Sequence, residues 1–292
     1  MIAECARPVR FAALAAAALL GGCSGVMDPA GPIAAGERTI LLNSVFIMLG
    51  IIVPTIVATF AFAWWFRAGN EKAVYRPDWS YSGRLELLVW SVPALVVIFL
   101  AGLTWIGSHE LAPERPLQSR VRPVPVQVVA LDWKWLFIYP EQGVATVNRL
   151  VIPAGTPINF RVTSGTVMNS FFVPQLGSQI YAMSGMDSKL HLQADRPGRF
   201  LGLSAHYSGE GFSDMGFVVD AVSPAQFAGW TQRTRAVGPV LDGPGFVELA
   251  KEQVNVKPFS YRAVLPGMYD RIVANAGAPV SESARSGRED TF

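Results

Sequence analysis

Two stretches of this 292-residue chain carry no charge over a length that crosses a lipid bilayer, from Thr39 to Phe66 and from Leu87 to Ser108. A helix needs roughly 20 apolar residues to span the hydrocarbon core, and each stretch exceeds that. Neither shows a polar face, which weighs against a pair of buried core helices in a soluble protein. Trp64, Trp65 and Phe66 close the first stretch, and Trp90 and Trp105 lie near the ends of the second, the pattern of aromatic belts at membrane interfaces. Pro54 and Pro93 sit inside the runs, where membrane helices tolerate proline. We therefore expect a two-helix hairpin over 39–108, with spans of about 41–66 and 86–107. At 51% hydrophobic and 16% charged residues, the whole chain is too apolar for an ordinary soluble protein. The linker between the spans holds Arg67, Lys72, Arg76 and Arg84 against Glu71 and Asp78, and the positive-inside rule places it in the cytoplasm. Everything after Ser108 is then expected outside.

The N-terminus reads as a targeting segment. Arg7 and Arg10 precede a short apolar core, Phe11 to Leu20, too short to span a bilayer. Leu20-Gly21-Gly22-Cys23 resembles the bacterial lipobox, which implies a signal peptide over 1–22, a lipid attached to Cys23 and an external, lipidated segment over 23–38. The only other cysteine is Cys5, so neither a disulfide framework nor a thiolate-ligated metal is available to the mature chain. A net charge of +2 gives no case for nucleic-acid binding.

From Pro123 the texture becomes one of short strands. Val124–Ala130, Leu150–Ile152, Ile158–Val162 and Gly216–Val222 are strand-like, with Pro153-Ala154-Gly155, Gly165 and Pro197-Gly198 as turns. This spacing predicts an antiparallel β-sandwich or small barrel over 123–222. Ser223-Pro224 starts a helix with an N-cap and an N1 proline. A helical, aromatic-rich segment is expected over 223–276, and a polar, coreless tail over 277–292.

The stretch Gly202 to Met215, GLSAHYSGEGFSDM, has the rhythm of a metal loop without its ligands. Copper electron-transfer sites need soft thiolate, and no cysteine follows residue 23. His191 and His206 with Met183, Met186 and Met215 offer a weak alternative set. His191 alternates with Leu190 and Leu192 as a strand residue, and Met183 and Met186 read as packing residues.

Five stretches together resemble subunit II of the haem–copper respiratory oxidases: Arg84–Trp105, Ala130–Asn148, Val162–Met186, the Gly202–Met215 loop, and Lys257–Val273. The resemblance implies a cupredoxin-like Greek-key sandwich behind the two-helix hairpin. In copper-bearing members the loop holds a binuclear copper centre. On this sequence its two cysteines fall on Ser204 and Ser208, its glutamate (a ligand through the backbone carbonyl) on His206, its histidine on Phe212, and the upstream histidine on Asn169. Only Met215 matches. Serine cannot bridge two coppers as thiolate does, so these six positions are not expected to bind metal.

That pattern resembles the quinol-oxidising branch, subunit II of cytochrome bo-type ubiquinol oxidases. The branch implies a non-redox, proton-translocating oxidase subunit in the bacterial inner membrane, with no catalytic residue or cofactor in this chain. Haems and copper are expected in a partner subunit I, small membrane subunits and the lipid bilayer as further partners, ubiquinol as substrate, and no cytochrome c. The same resemblance places Glu86, in a segment shared through Trp90, Ser91 and Pro93, at the mouth of a proton channel. Trp133 and Trp135, flanking Lys134 at strand spacing, face one way and read as packing residues. Of two rivals, a copper-bearing cytochrome c oxidase subunit is excluded by the missing thiolates. A lipid-anchored assembly or sensing module with the same fold is the alternative that remains.

Overall fold

The computed structural model describes residues 24–74 and 76–274. The signal segment, Cys23 and the polar tail from 277 lie outside the described residues. The chain divides into two compact units, one of residues 36–112 and one that combines the N-terminal residues up to 35 with those from 113 onward.

In the first unit, helix α2 (Pro32–Trp65) covers the first uncharged run except its last residue, Phe66, and helix α3 (Gly83–Glu110) contains the second; α1 is a single turn, Ser24–Met27. Both long helices continue through their internal prolines, Pro54 and Pro93. They approach closely where α2 begins and α3 ends. A Cβ on Gly107 would lie 2.3 Å from the Ile40 side chain, so the contact needs a residue without one. Many side chains of this unit are exposed large hydrophobics, which suits a lipid solvent and not water.

The second unit is a β-sandwich. Its strands are β1 (Val124–Leu131), β2 (Lys134–Tyr139), β3 (Val144–Val147), β4 (Arg149–Pro153), β5 (Ile158–Ser164), β6 (Asn169–Phe172), β7 (Ile180–Ala182), β8 (Ser188–Leu192), β9 (Gly198–Ser204) and β10 (Gly216–Val222). After β10 come α4 (Pro224–Ala236), β11 (Val240–Leu241), α5 (Gly243–Leu249), β12 (Phe259–Tyr261), β13 (Ala263–Val264) and α6 (Met268–Ala274). One sheet runs β12-β3-β2-β1-β5-β8 and the other β4-β10-β9-β6-β7. The pairing is not wholly antiparallel as the sequence suggested: β1 pairs parallel with β5, and β4 with β10. The cause is connectivity. β4 crosses to the second sheet, so the returning β5 enters beside β1 in the same direction.

Alternating inward residues build the core between the sheets, including Val126, Val128, Trp135, Phe137, Phe160 and Val219. Phe171 and Phe217, from the second sheet, stack at 5.2 Å with ring planes 12° apart. The helix start at Ser223 is as the sequence indicates: Ser223 accepts from the Gln226 backbone while the Gln226 side chain accepts from the Ser223 backbone.

The C-terminal segment carries the expected helices and, beyond them, three short strands. β12 adds to the first sheet beside β3, with Phe259 opposite Val147. Tyr261, Met268, Tyr269 and Ile272 then cover the outer face of that sheet, on Val129, Leu131, Leu136 and Ile138. The strands β1, β2 and β3 are thus buried on both faces, which is why β2 reads KWLFIY with every residue buried. At the other edge, Ala30 donates to the Gln175 carbonyl at 2.7 Å and accepts from Asp195 at 2.8 Å, fastening the N-terminal residues to the sandwich.

Candidate functional site

Strand order brings the six loop-and-strand positions to one end of the sandwich. β9 ends at Ser204, a 3-10 turn covers Glu210–Asp214, and β10 starts at Gly216. β6, which begins at Asn169, lies beside β9, with Phe171 opposite Ser204. Asn169 and Ser204 are consequently neighbours at the base of the loop.

What they form is a hydrogen-bonded knot. The Ser204 hydroxyl lies 3.1 Å from the Asn169 side-chain oxygen and 3.2 Å from the His206 carbonyl, so its single proton serves two acceptors. The Asn169 amide donates to the Val167 carbonyl at 3.1 Å. The Ser208 hydroxyl points at the Met215 sulfur, 3.9 Å away. Asn169, Ser204 and Met215 are buried. His206 contributes its backbone carbonyl, whereas its ring stands edge-on to Tyr181 at 6.1 Å. Phe212 is not part of the knot; its ring packs edge-on against Tyr207 at 5.6 Å. Asp214 is exposed.

Two tryptophans hold the loop in place. The Trp133 indole N–H donates to the Ser208 carbonyl at 3.1 Å, and that of Trp135 to the Met215 carbonyl at 3.4 Å. Both rings therefore address the loop, but they do not share a strand as the sequence suggested. Trp133 sits in the turn between β1 and β2 with φ 58°, an unfavourable region for an aromatic residue. The two-residue reversal at Asp132-Trp133 forces this, and the ring is compensated by packing on Gly211, where a Cβ would lie 2.4 Å from it. Met186 also departs from expectation: it is exposed in the turn before β8 and does not pack in the core. His191 is a strand residue as read, with Nδ1 2.8 Å from the Asn159 side-chain oxygen; burial first, and then Lys189, lower its pKa.

As a donor set for copper these residues do not fit. They offer hydroxyl and amide oxygens already committed to one another, one thioether, a phenyl ring and the single imidazole of His206, whose ring stands against Tyr181; the thiolate that the copper chemistry of this loop calls for is missing. Among the described residues, no group of three or more His, Cys, Asp or Glu comes together.

Sequence reasoning missed Lys134 and Asn148. Lys134 is fully buried, and its ammonium donates to the carbonyls of Lys251 at 2.6 Å and Asp132 at 3.3 Å. Burial lowers its pKa, with Asp132 opposing. Asn148 takes a left-handed turn between β3 and β4, at φ 54°. Its side chain accepts from the Trp135 backbone and donates to the Val256 carbonyl, each at 2.8 Å. An asparagine between two strand-like runs was the available signal for that turn. Glu86 lies, exposed, in the first turn of α3, and its backbone N–H donates to the Ser82 carbonyl at 3.0 Å.

A family model described as cytochrome C oxidase subunit II, periplasmic domain, matches residues 126–222. The chain is 48% identical to the cytochrome bo(3) ubiquinol oxidase subunit 2 of Pseudomonas aeruginosa, over 91% of this chain and 80% of that protein. It is 49% identical to the ubiquinol oxidase subunit 2 of Acetobacter aceti, over 92% of this chain and 88% of the relative. Among solved structures, the periplasmic domain of subunit II of cytochrome oxidase from Bradyrhizobium japonicum aligns with 41% of this chain and 96% of its own, at 21% identity and a TM-score of 0.38.

Proposed function

This chain belongs to the ubiquinol oxidase subunit 2 family, and from that membership we propose that it serves as subunit II of a terminal oxidase that oxidises ubiquinol and reduces oxygen to water. The observation that carries the reading is the knot at Asn169, Ser204 and Met215, together with Ser208. Every position where a copper-bearing relative would need a thiolate holds a hydroxyl engaged with a neighbour inside this chain. Electrons from a protein donor would have no acceptor there. A lipid-soluble quinol instead delivers them directly to a partner subunit, where the haems and copper reside. The two apolar helices support a place in the inner membrane, and the family membership supports a complex with other subunits. In finer detail, the sandwich lies on the periplasmic side, Cys23 carries lipid, and Glu86 lies at the entrance to a proton path through subunit I.

In this scheme, the sandwich positions and supports without taking part in electron transfer. Trp133 and Trp135 hold the former metal loop in shape through its backbone carbonyls. The test is to purify the tagged chain from its native membrane, record a haem spectrum, and compare turnover with ubiquinol and with reduced cytochrome c. Haem in the preparation and oxygen uptake with ubiquinol alone are expected. A haem-free preparation would favour the assembly or sensing module, and cytochrome c turnover would reinstate an external electron donor.

A further inference from the structure

The segment joining α2 to α3 encloses, with the adjoining helix ends, an open cleft of about 1130 Å³. Its walls are of two kinds. Trp65, Phe66 and Trp79 give an aromatic surface continuous with the exposed helices, and Arg67, Lys72 and Arg76 give positive charge. Glu71 and Asp78 belong to the same segment, but no acidic residue lines the cleft.

The cations are placed but not neutralised. Arg67 donates to the Trp64 carbonyl at 3.0 Å, with its guanidinium 4.8 Å from the centre of the Trp64 ring, which fixes the head of a long side chain. The Asn70 amide donates to the Trp65 carbonyl at 2.5 Å, and its oxygen accepts from the Lys72 backbone at 3.2 Å, which shapes the turn. None of the three cations forms an ion pair with a described residue.

We propose that this cleft binds the phosphate headgroup of an anionic phospholipid, with the aromatic wall against its glycerol and upper acyl chains. Charge selects the class: three cations without a counter-charge favour an anion. The wall selects the source, because indole and phenyl rings at a helix end contribute nothing to holding free phosphate but suit a lipid at the interface. The volume far exceeds what a bare phosphate fills and lies slightly above the roughly 300–1,000 Å³ of ordinary small-ligand sites, as a lipid headgroup with its upper acyl chains requires. Basic pockets beside membrane helices on the cytoplasmic side recognise acidic headgroups in this way. The proposal rests on the helices crossing the membrane and is independent of which substrate the complex oxidises.

The full chain, purified with its partner subunits in mild detergent, is incubated with phosphatidylglycerol or phosphatidylcholine, and bound lipid is counted by native mass spectrometry. One phosphatidylglycerol per chain is expected, in preference to phosphatidylcholine. Each of Arg67→Gln, Lys72→Gln and Arg76→Gln should lower retention roughly fivefold, the factor matching about 1 kcal/mol per basic residue at an anionic surface. The triple variant should lose the lipid altogether. A control with Arg115, Arg120 and Lys257 changed to glutamine should retain it, and the single variants keep the test open where the triple fails to assemble. Equal retention of the two lipids, retention by correctly assembled single variants, or displacement by inorganic phosphate would each overturn the proposal.

Discussion

The Lys134 ammonium donates a 2.6 Å hydrogen bond to the carbonyl of Lys251, tying strand β2 to the segment that covers its outer face. A buried cation held only by carbonyls is costly unless each bond is made, so this link fastens the C-terminal segment at a defined place. Lys134→Met keeps the volume and removes the donor. Orphaned carbonyls cost about 1–3 kcal/mol each, partly offset by the charge no longer buried. We expect a modest fall in the unfolding midpoint and a clear gain in protease cleavage between Lys251 and Lys257. Unchanged cleavage would show that the strand pairing of β12 alone holds the segment.

At the former metal loop, Ser204→Ala removes the donor to Asn169 and leaves a buried amide oxygen without it. A loss of about 1–3 kcal/mol is expected, measured by denaturant unfolding, with metal content unaltered. The wild-type domain from about Val121 onward, dialysed against copper, should retain substoichiometric metal and show no thiolate charge-transfer band. Stoichiometric, tightly held copper would contradict the reading of the loop.

Stability should decline at alkaline pH. Burial raises the pKa of Tyr139 and, with the Asp187 hydrogen bond, of Tyr269 above the ordinary tyrosine value of 10.0. A folded state that keeps its proton after the unfolded chain has released it is stabilised fully below that value and loses the stabilisation as pH rises above it. Lys134 acts oppositely: with its pKa lowered by burial, its contribution grows with pH up to the ordinary lysine value. Above the ordinary lysine value of 10.5 Lys134 adds no further change, so the two tyrosines set the trend there. The unfolding midpoint should fall above about pH 10, and Tyr139→Phe should flatten that fall. A midpoint that rises there would contradict the raised tyrosine values.

Glu86 lies in the first turn of α3, where the helix dipole favours a carboxylate in any case. If it also admits protons, Glu86→Gln should slow oxygen reduction while assembly and haem content stay normal, and Glu86→Asp should recover part of the rate. Wild-type turnover in a fully assembled Glu86→Gln complex would leave the dipole as its whole role.

The proposed lipid attachment at Cys23 would be separable from membrane anchoring, because the two apolar helices are long enough to hold the protein without it. Cys23→Ala should remain in the membrane fraction and lose labelling by radioactive palmitate. Persistent labelling would assign the lipid to another residue.

What the sequence disclosed depended on how local the signal was. The two helices were legible because lipid imposes an uncharged run, and the start of α4 because Ser223, Pro224 and Gln226 form a cap within four residues. The loop positions came from the family resemblance and not from spacing alone; the structure places Asn169 beside Ser204. Trp133 was misplaced because strand alternation continues across a two-residue turn without a glycine to mark it. β12 was missed because three residues carry little pattern, and its partner β3 lies more than a hundred residues earlier. Nothing local to Lys134 signals its burial; the carbonyls of Asp132 and the distant Lys251 make it tolerable.

The covering of the first sheet by Tyr261, Met268, Tyr269 and Ile272 sets an order of events for the newborn chain. Strands β1 to β3 are synthesised long before the residues that shield their outer face. The sandwich can close its inner core as soon as β10 emerges, yet Leu131, Leu136 and Ile138 stay bare until the chain is nearly complete. During that interval the unfinished protein presents a sticky sheet to its surroundings, and a chaperone or an early-arriving partner subunit has its natural moment to act. A message truncated after Ala236 would make the interval permanent.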